Sequence, residues 1–316
     1  MISRRAVLMS GLLAPTLAYA QQYPSRNVSL IVPFAPGASA DGIARIIGEE
    51  LAQLLGKPVV VENRPGAGGA IGLRALAQSA ANGHTLGVGA TGALVINPHV
   101  AESSANFDPL RDLAPIAKLI DIPLVLVAHP QAGFGSLKEM IDQSKTRPGG
   151  LSYGSTGVNS AQHLAVELLK KATQANLVHV AYRGSAPAMT DVLGRQIPLA
   201  SVDLTSADQH IKAGAVIPLA VTSSRRVDLA PDIPTIAELA VPDFEVTGWI
   251  GLLGPATLSK DVVALLSEHV RTALARSAVR QRIRLLACVE AYLDAPSFAT
   301  FLQTQSARMR DVVRRT

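Results

Sequence analysis

Disulfides are excluded first. The chain has one cysteine, Cys288, in "IRLLACVEAY", so no internal bridge can form and packing must hold the fold. Read simply, Cys288 is a small buried apolar residue. Aromatics make up 4 % of the chain and tryptophan occurs once, and no basic patch interleaves with aromatic side chains, which argues against a nucleic-acid surface. The seven histidines are scattered without a metal-ligand spacing, and no cysteine partners them; neither a metal nor a cofactor is expected. There is no Walker-type loop and no G-x-S-x-G elbow. The run "ENRPGAGGAIG", residues 62–72, fails as a dinucleotide fingerprint, because the third glycine position holds Ile71 and no acidic residue follows at the right distance. A structural turn with close backbone approach fits it better. No nucleophile–base pair can be assembled, so no catalytic residue is assigned and binding is favoured over catalysis.

What is present begins with an export signal. "MISRRAVLMSGLLAPTLAYA" carries Arg4 and Arg5 ahead of an apolar stretch and ends in the small-x-small pattern Ala18-Tyr19-Ala20, predicting cleavage after Ala20. Its apolar part is short for a membrane span, and no later segment reaches that length. "SRR" matches a twin-arginine signal only in part and does not select a route. Losing Arg4 and Arg5 lowers the formal charge from +5 to +3. The remaining basic excess collects in "SARMRDVVRRT", which reads as a solvated helix face. The mature chain is long enough for two domains with substantial cores.

Apolar runs of strand length alternate with helical patterns: "VSLIVPF", "PVVVEN", "HTLGVGA", "IPLVLVAH", "LSYGS", "LVHVAY", "IPLASVD" and "VIPLAVTS". Runs apolar throughout are typical of parallel strands covered on both faces. Ile43, Ile46, Ile47, Leu51 and Leu54 line one helix face, and "SLKEMIDQSK" and "APAMTDVLG" read as further helices. The class is therefore α/β with parallel-rich sheets. Leu258–Arg315 reads as helix throughout, broken near "DAPSF", with Ser259 and Ser297 as caps. No repeat and no low-complexity linker divides the chain.

Two strand–helix junctions stand out. "PFAPGASADG", residues 33–42, is nearly all small side chains around one carboxylate, Asp41. A helix beginning offers unpaired N–H groups and a partial positive charge, so it attracts anions, and Gly37, Ala38 and Ser39 leave those groups open. The plain alternative is a tight loop with Asp41 favouring the first turn. "LSYGSTGVNSAQHLAVELLKK", residues 151–171, repeats the design, with Ser155, Thr156, Asn159 and Ser160 adding polar groups. Ser160 also reads as a cap and His163 as packing. Set in two lobes, the two junctions would grip a dicarboxylate from both ends. Asp203 in "ASVDLTSADQ" is either a ligand contact or a loop cap. Arg183 in "AYRGSAP" either draws an anion or pairs at the surface, and Trp249 in "VTGWIGLLGP" either walls a cleft or packs in the core.

The strings "YPSRNVSLIVPFAPGASADGIAR", "GKPVVVENRPGAGGAIG", "LSYGSTGVNSAQHLAVE", "VHVAYRGSAPAMTDVLGRQI" and "GWIGLLGPA" resemble, in order and over essentially the whole mature chain, the Bug proteins, extracytoplasmic receptors of tripartite tricarboxylate transporters. The resemblance implies a two-lobed periplasmic binding-protein fold (type II-like) with two crossing strands, lobe 1 comprising residues 21–122 and 245–316 and lobe 2 residues 123–244. It implies a monomeric periplasmic receptor that binds a small carboxylate, largely through backbone N–H groups and water, and hands it to membrane permease subunits. Carried over residue by residue, Ala35, Gly37, Ala38 and Asp41 come from one lobe and Ser155, Thr156 and Gly157 from the other, with Thr91 and Asp203 as further candidates. The family usually has two adjacent glycines where this chain has Gly37-Ala38, so a methyl group narrows the approach to the backbone. Two other classes remain: the sensing component of a membrane signalling system, and a hydrolase on a similar fold, which would turn over esters or amides.

Overall fold

The structure, a computed structural model, describes residues 23–37, 39–100 and 107–313, the side chains of residues 311 and 312 excepted. The expected signal segment with its cleavage point, and Ala38, lie outside the described residues.

Two sheets organise the chain. The first is built from β1 (Val28–Val32), β2 (Val59–Asn63), β3 (Thr85–Ala90), β4 (Leu113–Ile122), β10 (Gly248–Pro255) and β11 (Val289–Leu293), in the order β11-β4-β10-β3-β1-β2. The second holds β5 (Leu124–Ala128), β6 (Leu151–Ser155), β7 (Leu177–Ala181), β8 (Leu199–Asp203) and β9 (Ile217–Val221), in the order β7-β6-β8-β5-β9. Helices α1 (Ser39–Leu55), α2 (Ala70–Ala77), α9 (Lys260–Ala275), α10 (Ser277–Leu285) and α11 (Ala295–Val313) flank the first sheet. With the second go α4 (Leu137–Thr146), α5 (Ala161–Thr173), α6 (Ser185–Leu193) and α7 (Leu204–Lys212), while α3 (Pro109–Asp112) and α8 (Ile236–Leu239) are single turns.

The sheets are mixed rather than wholly parallel. β1 pairs in parallel with β2 and β3, and β6 with β7 and β8. Every antiparallel pair involves β4, β5 or β10, the strands on which the chain passes between sheets. The expected single strand at "IPLVLVAH" is the outgoing passage: β4 ends at Ile122, Pro123 intervenes, and β5 starts at Leu124. Proline has no N–H to give a ladder, so it sits where the chain changes sheet. On the return, Gly248 of β10 lies opposite Ile122, and Val246 N donates to Thr222 O at 2.8 Å just beyond β9.

One segment expected to be helical is not. "VEAYL" forms β11, an edge strand antiparallel to β4, where Val289 and Tyr292 suit a half-buried pleat better than a helix interior. The cap beyond it also moves by three residues: Asp294 Oδ1 accepts from Ser297 N at 2.9 Å, so α11 starts before Ser297. Ser259 and Ser160 do cap, accepting from Val262 N and His163 N.

Ile43, Ile47 and Leu51 of α1 are fully buried and Ile46 nearly so, while Leu54 is half-buried. Each fully buried side chain of this size contributes about 1.5–3 kcal/mol relative to exposure. On the sheet's other face Trp249, 2 % exposed, stands edge-on to Phe298 and Phe301, with ring centroids at 5.9 and 5.3 Å; it is a core residue. The 62–72 turn is structural, because a Cβ on Gly72 would meet Pro33 Cβ at 2.8 Å and Arg64 O at 2.9 Å. Cys288 is buried, and burial pushes its thiol up to about 12.

Gly251 tests this packing. A methyl group there would overlap the edge of the fully buried Phe298 ring at its Cζ. Gly251→Ala is expected to lose about 1–3 kcal/mol in urea unfolding, and an unchanged midpoint would contradict the close approach of α11 to β10.

Candidate ligand-binding site

At the C-terminal end of β1 the chain turns through Pro33–Gly37 into α1, and Ala35 and Gly37 are exposed. Asp41, in the first turn of α1, holds this loop. Its Oδ2 accepts from Gly37 N at 3.1 Å and Arg45 Nε at 3.0 Å, and its Oδ1 from Arg45 Nη2 and Asn63 Nδ2, both at 2.9 Å. Asn63 also donates to Phe34 O at 3.1 Å. Burial works to raise the Asp41 carboxyl, but Arg45, Asn63 and the Gly37 N–H outweigh it and hold it below the ordinary aspartate range. The first-turn placement is thus realised as a clamp across the loop and β2.

The second junction is organised by Ser155. Its side chain is fully buried, its Oγ donates to Gly157 O at 3.1 Å and accepts from Gly157 N at 3.2 Å, and it lies 2.7 Å from His179 Nε2. Burial, reinforced by His163 stacked at a centroid distance of 4.1 Å, pushes the His179 imidazole down to about 4, so the ring is neutral at pH 7. Thr156 Oγ1 donates to Gln162 Oε1 at 2.8 Å. The side chains expected to meet a ligand here therefore hold one another, and the Gly37 and Gly157 N–H groups each have a side-chain acceptor at the flank of the loop, Asp41 of α1 and Ser155 of β6. The positive φ of Gly37 (+83°) and Gly157 (+132°) explains why glycine stands at both bends.

Between the two junctions lies Asp203, at the end of β8 and the start of α7. Its carboxylate accepts from Ser39 Oγ, across the gap between the lobes, at 2.8 Å, and from Gln162 Nε2; its N–H donates to Ser185 Oγ at 3.2 Å. Ser39 opens α1, Gln162 lies in the first turn of α5 and Ser185 opens α6. Four helix beginnings, from both lobes, thus surround one carboxylate, each contributing partial positive charge. Burial dominates and raises the Asp203 carboxyl above its ordinary value, the three polar side chains opposing it only in part.

A second contact between the lobes is made by Thr205 of α7, whose hydroxyl donates to Leu286 O and lies 3.9 Å from Cys288 Sγ. Beside the second junction a cavity of about 300 Å³ is lined by Ile96, Val100, Asn159, His163, Leu164, Glu167 and Val313. Another, of about 120 Å³, follows the α11 side of β4 and β10 past Lys118, Asp121 and Trp249. Thr91 borders it and accepts from Trp249 N at 2.9 Å, so its hydroxyl fixes the start of β10. Arg183 is exposed at the start of α6.

The structure thus links Thr156 through Gln162 to Asp203 and Ser39 and, separately, Ser155 to Gly157 and His179, while Asp41 and Thr91 serve neighbouring contacts. Sequence reasoning missed Gln162 and His179. Gln162 looks like an ordinary helix residue and His179 like a strand residue, and only the pairing of β6 with β7 brings His179 beside Ser155.

The family described as the tripartite tricarboxylate transporter family receptor matches residues 43–316. Protein BugT of Bordetella pertussis (strain Tohama I) is 34 % identical over 310 residues, covering 98 % of this chain and 94 % of that protein. Among solved structures, MatC of Rhodopseudomonas palustris with bound malate is 30 % identical with a TM-score of 0.84, covering 92 % of this chain and 100 % of that one. Rpa4515 of R. palustris with adipate is 28 % identical with a TM-score of 0.85, covering 92 % and 97 %.

The Asp41 clamp predicts a pH-dependent stability. Its folded pKa is depressed, so its contribution is present above the ordinary aspartate value of about 3.9 and is lost as the pH falls below it. Asp41→Asn should cost about 1–3 kcal/mol at pH 7, with the difference from the parent closing on acidification into that range. An equal difference at pH 7 and pH 3 in urea unfolding would remove the charge from the explanation.

Proposed function

The chain belongs to the tripartite tricarboxylate transporter receptor family, to which the Bug proteins are related, and on that footing we propose that it closes its two lobes on a small carboxylate and delivers it to the membrane permease of such a transporter. One observation carries the reading most directly: helix beginnings from both lobes converge on a buried carboxylate held by neutral donors. A buried anion has to be met by fixed dipoles, since bulk water is excluded. Relatives in the same family hold malate and adipate, carboxylates of different length.

In this assignment the ligand is met by main chain at Ala35, Ala38 and Thr156, while Gly37 and Gly157 give the loops their bends. Asp41 acts through the loop it clamps, Ser155 through the loop it braces, and Thr91 through the start of β10. Asp203 stands where the lobes meet. The lobes are assigned as residues 21–122 with 245–316, and 123–244. We further infer cleavage after Ala20, a periplasmic location and a monomeric receptor.

The hydrolase alternative meets a specific obstacle. Ser155 and His179 stand at nucleophile–base distance, yet the Ser155 side chain is fully buried and no carbonyl carbon can reach it. Purified protein is expected not to hydrolyse p-nitrophenyl butyrate; turnover abolished by Ser155→Ala would reverse this judgement. A sensing role would use the same closure, and a permease or kinase gene beside this one distinguishes the two.

Ligand binding is tested by thermal shift against mono-, di- and tricarboxylates and acidic amino acids. A ligand at about 100 times its Kd stabilises the folded state by about 2.7 kcal/mol, a readily measured rise in Tm. No rise with any of them would sink the carboxylate reading. Gly37→Asp places an anion at the start of α1, where a Cβ meets nothing within 4 Å but the left-handed backbone strains any L residue. The variant should lose about 1 kcal/mol of stability, stay folded, and lose affinity by about tenfold or more, about 1.4 kcal/mol; unaltered affinity would take that loop out of the site.

A further inference from the structure

We propose that Asp203 is a tethered competitor of the ligand: its carboxylate occupies the donors shared between the lobes and holds the receptor shut until an incoming carboxylate displaces it. The second half of this statement rests on the carboxylate reading above; the first half does not.

Oδ2 of Asp203 is met by Ser39 Oγ from the opposite lobe and Oδ1 by Gln162 Nε2 from its own. Both donors are neutral, and Ser185 completes the set through the Asp203 N–H. A carboxylate sealed from water is costly, and neutral donors with the beginnings of α1, α5, α6 and α7 offset part of that cost. This is also what a ligand carboxylate requires. The protein's own side chain therefore takes the position of a guest.

Two physical consequences follow. A ligand carboxylate that reaches for Ser39 and the start of α1 meets a like charge at close range, so Asp203 must give up Ser39 before the lobes can close on a guest. The latched closed state also cannot admit a ligand, and the apparent affinity falls in proportion to the population that is open. Ser39 and Asp203 thereby set ligand affinity without gripping the ligand. The Thr205–Leu286 contact joins the lobes close by, but it carries no charge for a ligand to displace.

The test uses the mature chain and two variants, Ser39→Ala and Asp203→Asn. Small-angle X-ray scattering without ligand reads the population of open and closed forms. The parent is expected to be mainly closed, and both variants should show a larger radius of gyration. If both scatter as the parent does, the latch is overturned; should Asp203→Asn fail to fold, Ser39→Ala alone decides this point. Calorimetric titration with malate and adipate reads the competition. A latch closed nine-tenths of the time reduces affinity about tenfold, so Asp203→Asn and Ser39→Ala are expected to bind the accepted acid up to about tenfold more tightly. Weaker binding by Asp203→Asn would make Asp203 a ligand contact and overturn the competitor role. If no variant and no parent binds either acid, the carboxylate reading fails for these probes, while the scattering still decides the latch.

Discussion

A charge that is shut away from water must be surrounded by donors that the fold has already placed. That constraint shapes the centre of this molecule. Asp203 sits between the lobes with hydroxyl and amide donors from Ser39 and Gln162, which lie in the first turns of α1 and α5. Neither lobe supplies the arrangement alone. The two sheets, the passage of the chain between them and the loops at the ends of β1, β6, β7 and β8 all serve to bring those donors to one place.

Those loops owe their shape to side chains that never need to touch a ligand. Asp41 ties Gly37, Arg45 and Asn63 together, and Ser155 ties Gly157 to His179. A small, bare loop would otherwise sample many conformations, because glycine and alanine impose few restrictions. Fixing the loop by a buried side chain on the adjoining helix or strand leaves its outer surface free of bulk. The polar residues of the two junctions thus act as braces for the main chain of their loops.

Much of this was legible in the sequence. The apolar runs at 28–32, 59–63, 151–155 and 199–203 are unmistakable strands, and the small residues between strand and helix mark where backbone would be offered. The failures have physical reasons. "VEAYL" is short and follows a helical pattern, and only the free edge of β4 makes it a strand. β4 escapes the sequence reading, which expects a strand only from Ile122, because Lys118 and Asp121 interrupt its apolar run. Asp41, Ser155 and Thr91 carried the right chemistry for a ligand, but their partners come from other elements: Asn63 from β2, His179 from β7, Trp249 from β10. Single-sequence reading has no access to such pairings, and they decide whether a polar group faces a guest or its own chain.

The passage between the sheets has a mechanical meaning. Pro123 alone separates β4 from β5, and Gly248 of the returning strand lies against Ile122. The outgoing and returning strands are thereby hydrogen-bonded to each other up to the boundary between the sheets, so a shift of one sheet relative to the other has to be taken up by both connections together.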